Sequence, residues 1–123
     1  SFKIMNYLEP CQYSIRLTEK LKSLDTQNVL DFELINKAIY WARKYHGDQK
    51  RKSGEPYYSH PLEVAYMVSE YKLKMDIIAA SILHDIVEDT IWTDYVRLPK
   101  LSEDIKDAMK VVNEFLEQHP YLK

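Results

Sequence analysis

Asp76-Ile77-Ile78-Ala79-Ala80-Ser81-Ile82-Leu83-His84-Asp85-Ile86-Val87-Glu88-Asp89-Thr90 runs without a glycine or proline. That spacing predicts a helix over Ile77 to Asp89, with Asp76 as its N-cap. A helix turns about 100° per residue, so with His84 at zero, Glu88, Asp85 and Asp89 fall at about 40°, 100° and 140°. Ile82, Ile86, Ala79, Leu83, Val87 and Ala80 fill the opposite side. A surface helix would be polar along the whole of the first wedge. Here Ile77 and Ile78 lie on it one to two turns earlier, and Ser81 sits near its middle. The pattern fits a buried helix whose last turns open into a pocket.

Outward from this helix, the reading stays helical. Ile15, Leu17, Leu21 and Leu24 give a weak helical period and a first helix from about Pro10 to Leu24. A second helix starts at Asp31, whose carboxylate can accept from free backbone N–H groups. Leu30 and Ile35 are placed for a hydrophobic staple. Phe32, Ile35, Ala38, Ile39 and Ala42 carry its apolar face, and Gly47 ends it in a left-handed C′ conformation. Asp48 to Ser59 is a loop, broken by Gly54 and Pro56. Pro61 suits a first helical position, which makes His60 the N-cap of a third helix faced by Leu62, Val64, Ala65, Met67 and Val68. Ser102 caps a fifth helix, with Ile105, Ala108, Met109, Val112, Phe115 and Leu116 as its stripe. His119-Pro120 closes that helix. The expected fold is all-α, a bundle of about five helices in one domain over residues 1–123.

Composition narrows the class. The chain is 46% hydrophobic and 29% charged, with a formal net charge of −2. These values are ordinary for a soluble globular protein and give no reason to expect direct DNA binding. Cys11 is the single cysteine, so no internal disulfide forms, which fits a reducing, cytoplasmic setting. No apolar run approaches the roughly 20 residues that span a bilayer. Arg43, Lys44, Lys50, Arg51 and Lys52 fall within ten positions. Such a run is usually a solvated face. Next to candidate metal ligands it reads instead as a phosphate clamp.

His84 and the adjacent Asp85 can bend toward one ion, because imidazole nitrogen and carboxylate oxygen are both common ligands. His60, at the start of another helix, can supply a third. Glu88 and Asp89 stand one turn beyond, where carboxylates orient a water or take its proton. Metal-assisted phosphate-ester chemistry follows from this set more directly than any other reaction.

The stretch from Ala38 to Thr90 resembles the N-terminal hydrolase domain of RelA/SpoT homologues, a branch of the HD-domain metal phosphohydrolases. The matching residues are Ala42, His46 and Gln49, then Arg51-Lys52-Ser53-Gly54-Glu55-Pro56-Tyr57, His60-Pro61, Leu83-His84-Asp85 and Val87-Glu88-Asp89-Thr90. The resemblance implies an HD-like helical bundle that removes the 3′-pyrophosphate from guanosine tetra- and pentaphosphate with manganese (Mn²⁺). It implies His60, His84 and Asp85 as metal ligands and Glu88 and Asp89 as the catalytic pair acting on the attacking water. Arg51, Lys52 and Ser53 would line the nucleotide side, and Tyr57 would stiffen or contact that loop. His46 also matches, but near a helix C-terminus it is read as structural.

One part of the family pattern is not found. The family draws a further ligand from a later Ala-Asp-Arg-x-x-Asn motif. After Asp89 the aspartates here are Asp94, Asp104 and Asp107, none followed by Arg. The resemblance fades after residue 90. Two other readings therefore stand beside the hydrolase: a nucleotide-binding module without turnover, and a helical interaction domain. Under the last, Ile105, Met109, Val112 and Phe115 would be exposed and drive self-association.

Overall fold

The computed structural model describes residues 7–87 and 105–122. Five α-helices order them: α1 (Gln12–Leu24), α2 (Phe32–His46), α3 (Ser59–Tyr71), α4 (Met75–Val87) and α5 (Ile105–Gln118). A 3-10 turn follows at Pro120–Leu122. Among the described residues no strand forms, and Lys50 and Pro56 make an isolated antiparallel bridge. Glu88, Asp89, the expected last residues of the fourth helix and the expected Ser102 cap lie outside the described residues.

α4 is the centre of the bundle. It packs against α2, α3 and α5. Ile78, Ala79, Ile82, Leu83 and Ile86 join one core cluster with Leu17, Leu21, Ile35, Ala38 and Leu62. Ile77 and Ala80 join a second, with Val64, Val68, Val112 and Phe115. The helix is thus buried on all sides, as Ile77, Ile78 and Ser81 foretell. Ser81 is 0% exposed and its hydroxyl donates to the Ile77 carbonyl at 2.9 Å. Its small size lets neighbouring helices approach.

The ends of the helices match the sequence unevenly. Asp31 caps α2 as expected, accepting from the N–H groups of Glu33 and Leu34 at 3.1 and 3.2 Å. Gly47 ends α2 with φ +57°, but its ψ of −128° is not the left-handed helical conformation. α1 begins two residues later than expected, at Gln12, where Ser14 Oγ accepts from the Cys11 N–H. α4 begins at Met75, so Asp76 sits inside the first turn rather than capping it. The Lys74 carbonyl already accepts from the Ile78 N–H at 2.9 Å.

α3 brings the correction that matters most for function. His60 is not the N-cap. The backbone of Tyr58 is already helical, with φ −63° and ψ −14°, and the helix runs from Ser59. The N–H groups of Ser59 and His60 donate to Pro56 and Tyr57 carbonyls at 3.1 and 3.0 Å. A tight turn thus starts the helix, and the His60 ring has no capping duty. Pro61 falls within the first turn, where a missing N–H costs nothing.

A second correction concerns α5. Met109, Val112 and Phe115 are buried against α4 rather than exposed. These three members of the stripe expected to drive self-association are covered by the chain itself, and the Ile105 side chain lies outside what is described. Phe115→Ala should therefore cost about 3–5 kcal/mol in urea unfolding. Val29→Ala, at a position 52% exposed, should stay within about 0.5 kcal/mol. Equal effects would place the α5 stripe in solvent.

Candidate metal centre

α3 and α4 bring His60, His84 and Asp85 together, with one ligand atom from each lying within 4.8 Å of the others. The His60 and His84 ring centres are 5.5 Å apart. Two ligands on opposite sides of one ion, with bonds of about 2.0–2.2 Å, stand at most about 4.4 Å apart. Three donors cannot all be opposite one another; in a tetrahedral array they stand about 3.3–3.6 Å apart, so a pair near the 4.8 Å limit would draw in by about an ångström on sharing an ion.

Helix geometry fixes the His84 tautomer. Its Nδ1 is 2.7 Å from the Ser81 carbonyl oxygen, which accepts only, so Nδ1 carries the proton. The neutral ring then presents the Nε2 lone pair, and Nε2 lies 3.1 Å from Asp85 Oδ1. A lone pair against an anionic oxygen at that distance requires a positive species there. Either Nε2 is itself protonated or a metal ion is shared between the two atoms. Asp85 Oδ2 is buried with no hydrogen-bond partner among the described residues.

The surroundings prepare the donors. Burial holds the His60 imidazole below its ordinary pKa, reinforced by His84, so it stays neutral and able to ligate near pH 7. Burial pushes the Asp85 carboxyl up, but the contact with His84, and then the fields of His84, His46 and His60 when these rings carry a proton, hold it below its usual value. It therefore stays ionised.

The 49–57 turn rims the cluster. The Arg51 N–H donates to the Glu55 carbonyl at 2.8 Å and the Tyr57 N–H to the Gln49 carbonyl at 2.8 Å. Gly54, with φ +92°, allows the reversal. Arg51, Lys52 and Ser53 are exposed at its tip. Asp85 and then burial hold the Tyr57 hydroxyl above its ordinary pKa and burial holds His60 below its own, with the Arg51 charge near enough to act downward on both. Tyr57 forms part of the wall, its ring 4.7 Å from His46 and 6.2 Å from His60. Lys52 and Ser53 stand on the turn but outside the histidine cluster.

Two neighbours differ from expectation. Arg43, the first member of the basic run, turns inward and donates to the Tyr7 and Glu9 carbonyls. It is no part of a phosphate clamp. Lys44 lies over the Trp41 ring at 5.1 Å. His46, read from sequence as structural, points at the site instead: its Nε2 is 3.7 Å from Asp85 Oδ2. Its place in the matched motif was the available signal. A groove of about 590 Å³ between the N-terminal segment, α1 and α2 contains none of these histidines. Donor chemistry, not volume, marks the site.

Residues 38–116 match the HD domain family. That span runs past residue 90, where the motif likeness stops, and takes in α5. The chain is 34% identical over 112 residues to a probable guanosine-3′,5′-bis(diphosphate) 3′-pyrophosphohydrolase of Mycoplasma genitalium, which is 88% of this chain and 15% of the relative. It is 38% identical over 81 residues to the protein of the same name in Mycoplasma pneumoniae, 66% of this chain and 11% of the relative. It is 52% identical over 60 residues to the GTP pyrophosphokinase rsh of Brucella ovis, 49% of this chain and 8% of the relative. The chain thus spans a small part of each of these relatives. No solved structure matches it significantly.

If the three donors share an ion, binding should stabilise the fold. Mn²⁺ at about 100 times its Kd should add about 2.7 kcal/mol to the unfolding free energy. His84→Ala should abolish the gain in a thermal melt. A gain that survives in the variant would put the ion elsewhere.

Proposed function

This chain belongs to the HD-domain family, and we propose that it acts as a manganese-dependent 3′-pyrophosphohydrolase of guanosine tetra- and pentaphosphate. The observation that carries the proposal is the convergence of His60, His84 and Asp85 around one point. The names of the two Mycoplasma relatives supply the substrate class. In this reading residues 1–123 work as one HD hydrolase-like unit in the cytoplasm, in the breakdown of the stringent-response alarmones.

His60 Nδ1 or Nε2, His84 Nε2 and Asp85 Oδ1 would hold the ion. Bound there, a divalent cation would polarise a phosphoryl oxygen and acidify a water near neutral pH. The chain's own residues do the rest. Ser81 fixes the His84 tautomer through its carbonyl, and that keeps Nε2 directed inward. The α4 core behind the cluster excludes bulk water and strengthens every charge interaction at the site.

Pyrophosphate leaves intact, so the bond that breaks joins the ribose 3′ oxygen to phosphorus. Water adds its oxygen to that phosphorus as a carboxylate takes its proton, the bond to the 3′ oxygen breaks, and that oxygen takes the proton back from the carboxylic acid to leave as the ribose hydroxyl. Glu88 and Asp89, one turn beyond His84 and Asp85 in the sequence, are the carboxylates assigned to orient that water and take its proton. Arg51 and Lys52 would neutralise the polyphosphate at the rim, with Arg51 offering a paired N–H fork. The Ser53 hydroxyl adds a donor on the nucleotide side. Tyr57 braces the turn against His46 and contacts the substrate edge.

Purified protein with Mn²⁺ and guanosine tetraphosphate should release pyrophosphate. Loss of a direct ligand in His84→Ala or Asp85→Asn should cost more than the roughly 10- to 100-fold that loss of an outer partner costs. Alarmone binding in calorimetry with no pyrophosphate released would support instead a nucleotide-binding module without turnover. Release at equal rates by wild type and His84→Ala would remove the metal reading.

A further inference from the structure

His46 has no role in the chemistry above, yet it is the buried polar group that faces the metal centre from α2. It lies in the last turn of α2 and is 5% exposed. Its ring is clamped, with Tyr45 edge-on at 5.1 Å and Tyr57 at 4.7 Å. The Gln49 backbone N–H donates to the His46 carbonyl at 3.1 Å, which ties the turn to the end of α2. Nε2 has no hydrogen-bond partner among the described residues. Asp85 Oδ2 is likewise buried and unsatisfied. These two orphaned atoms lie 3.7 Å apart.

Neither atom can stay unpaired at low cost in a dry interior. The gap exceeds the roughly 2.9 Å of an N–H···O bond, but a small rotation of the carboxylate closes it. The same rotation serves the metal. When Oδ1 turns onto an ion beside His84 Nε2, Oδ2 is directed back toward α2. His46 is not a member of the set of donors lying within 4.8 Å of one another. It stands behind Asp85 rather than within the ring of ligands.

We infer that His46 is a positioning residue of this site, donating its Nε2–H to Asp85 Oδ2 and so holding Oδ1 on the cation. The inference rests on the metal reading proposed above. It adds an outer partner from a third helix, and so couples the α2 C-terminus and the 49–57 turn to metal affinity. Outer partners of this kind set ligand orientation and basicity.

The amide of glutamine places an N–H where histidine has Nε2, whereas that of asparagine reaches only the Nδ1 position. Mn²⁺ isotherms on the full chain should therefore separate the variants. His46→Ala and His46→Asn should each weaken binding by about 10- to 100-fold. His46→Gln should stay within about threefold of wild type, because it keeps the donor. The Co²⁺ absorption band at saturation should keep its shape in all of them, since the directly bound atoms do not change. Wild-type affinity in His46→Asn would overturn the inference, whatever the variant does to the melting temperature of the metal-free protein. So would a His46→Gln that binds as weakly as His46→Asn with an altered Co²⁺ band, which would make His46 a direct ligand. A wild type that binds no Mn²⁺, and matches His84→Ala, would remove the metal reading and this inference with it. Should His46→Ala fail to fold, the glutamine and asparagine pair decides alone.

Discussion

A carboxylate and two imidazoles are held inside an apolar bundle, and that placement favours a positive species, a proton or a metal ion, between them. Burying ionisable groups is expensive unless their charge is matched. Asp85 stays ionised because the histidines around it outweigh its burial. Ser81 turns the Nε2 lone pair of His84 toward Asp85 Oδ1, which only a shared positive species makes favourable. The helix that carries both residues cannot turn away from the conflict. Its other faces are sealed against α2, α3 and α5.

The rest of the fold can be read as support for that placement. α3 delivers His60 because the Tyr57-Tyr58 turn starts the helix early and frees the ring from capping. The 49–57 turn leaves three donors at the rim and folds Tyr57 back onto the histidines. α5 covers the far side of α4 with Val112 and Phe115, which keeps water from the back of the site. Family membership and donor geometry therefore agree without either being needed to establish the other.

Much of this was legible in the sequence, for definite reasons. Asp31 and the Phe32 to Ala42 period specify α2 locally. Ile77, Ile78 and Ser81 lie on the side where a surface helix would be polar, so the burial of α4 could be read by angle alone. The His84-Asp85 pair, with His60 at a helix start, forecast the donor cluster. What was not legible depends on tertiary partners. A charge run does not show which way each member points, and Arg43 turns inward to carbonyls of the N-terminal segment. Periodicity gives α5 a face but not what covers it. The start of α3 depends on a tight turn through two tyrosines that carries no strong local signal. His46 reads as structural because its neighbour Asp85 is far away along the chain and close only in the fold.

The most direct measurement is anomalous X-ray scattering from crystals grown with Mn²⁺. One peak should lie within about 2.3 Å of a His60 ring nitrogen, His84 Nε2 and Asp85 Oδ1. A peak bound elsewhere, or ordered rings of His60 and His84 with no ion between them at saturating Mn²⁺, would contradict the shared-cation site.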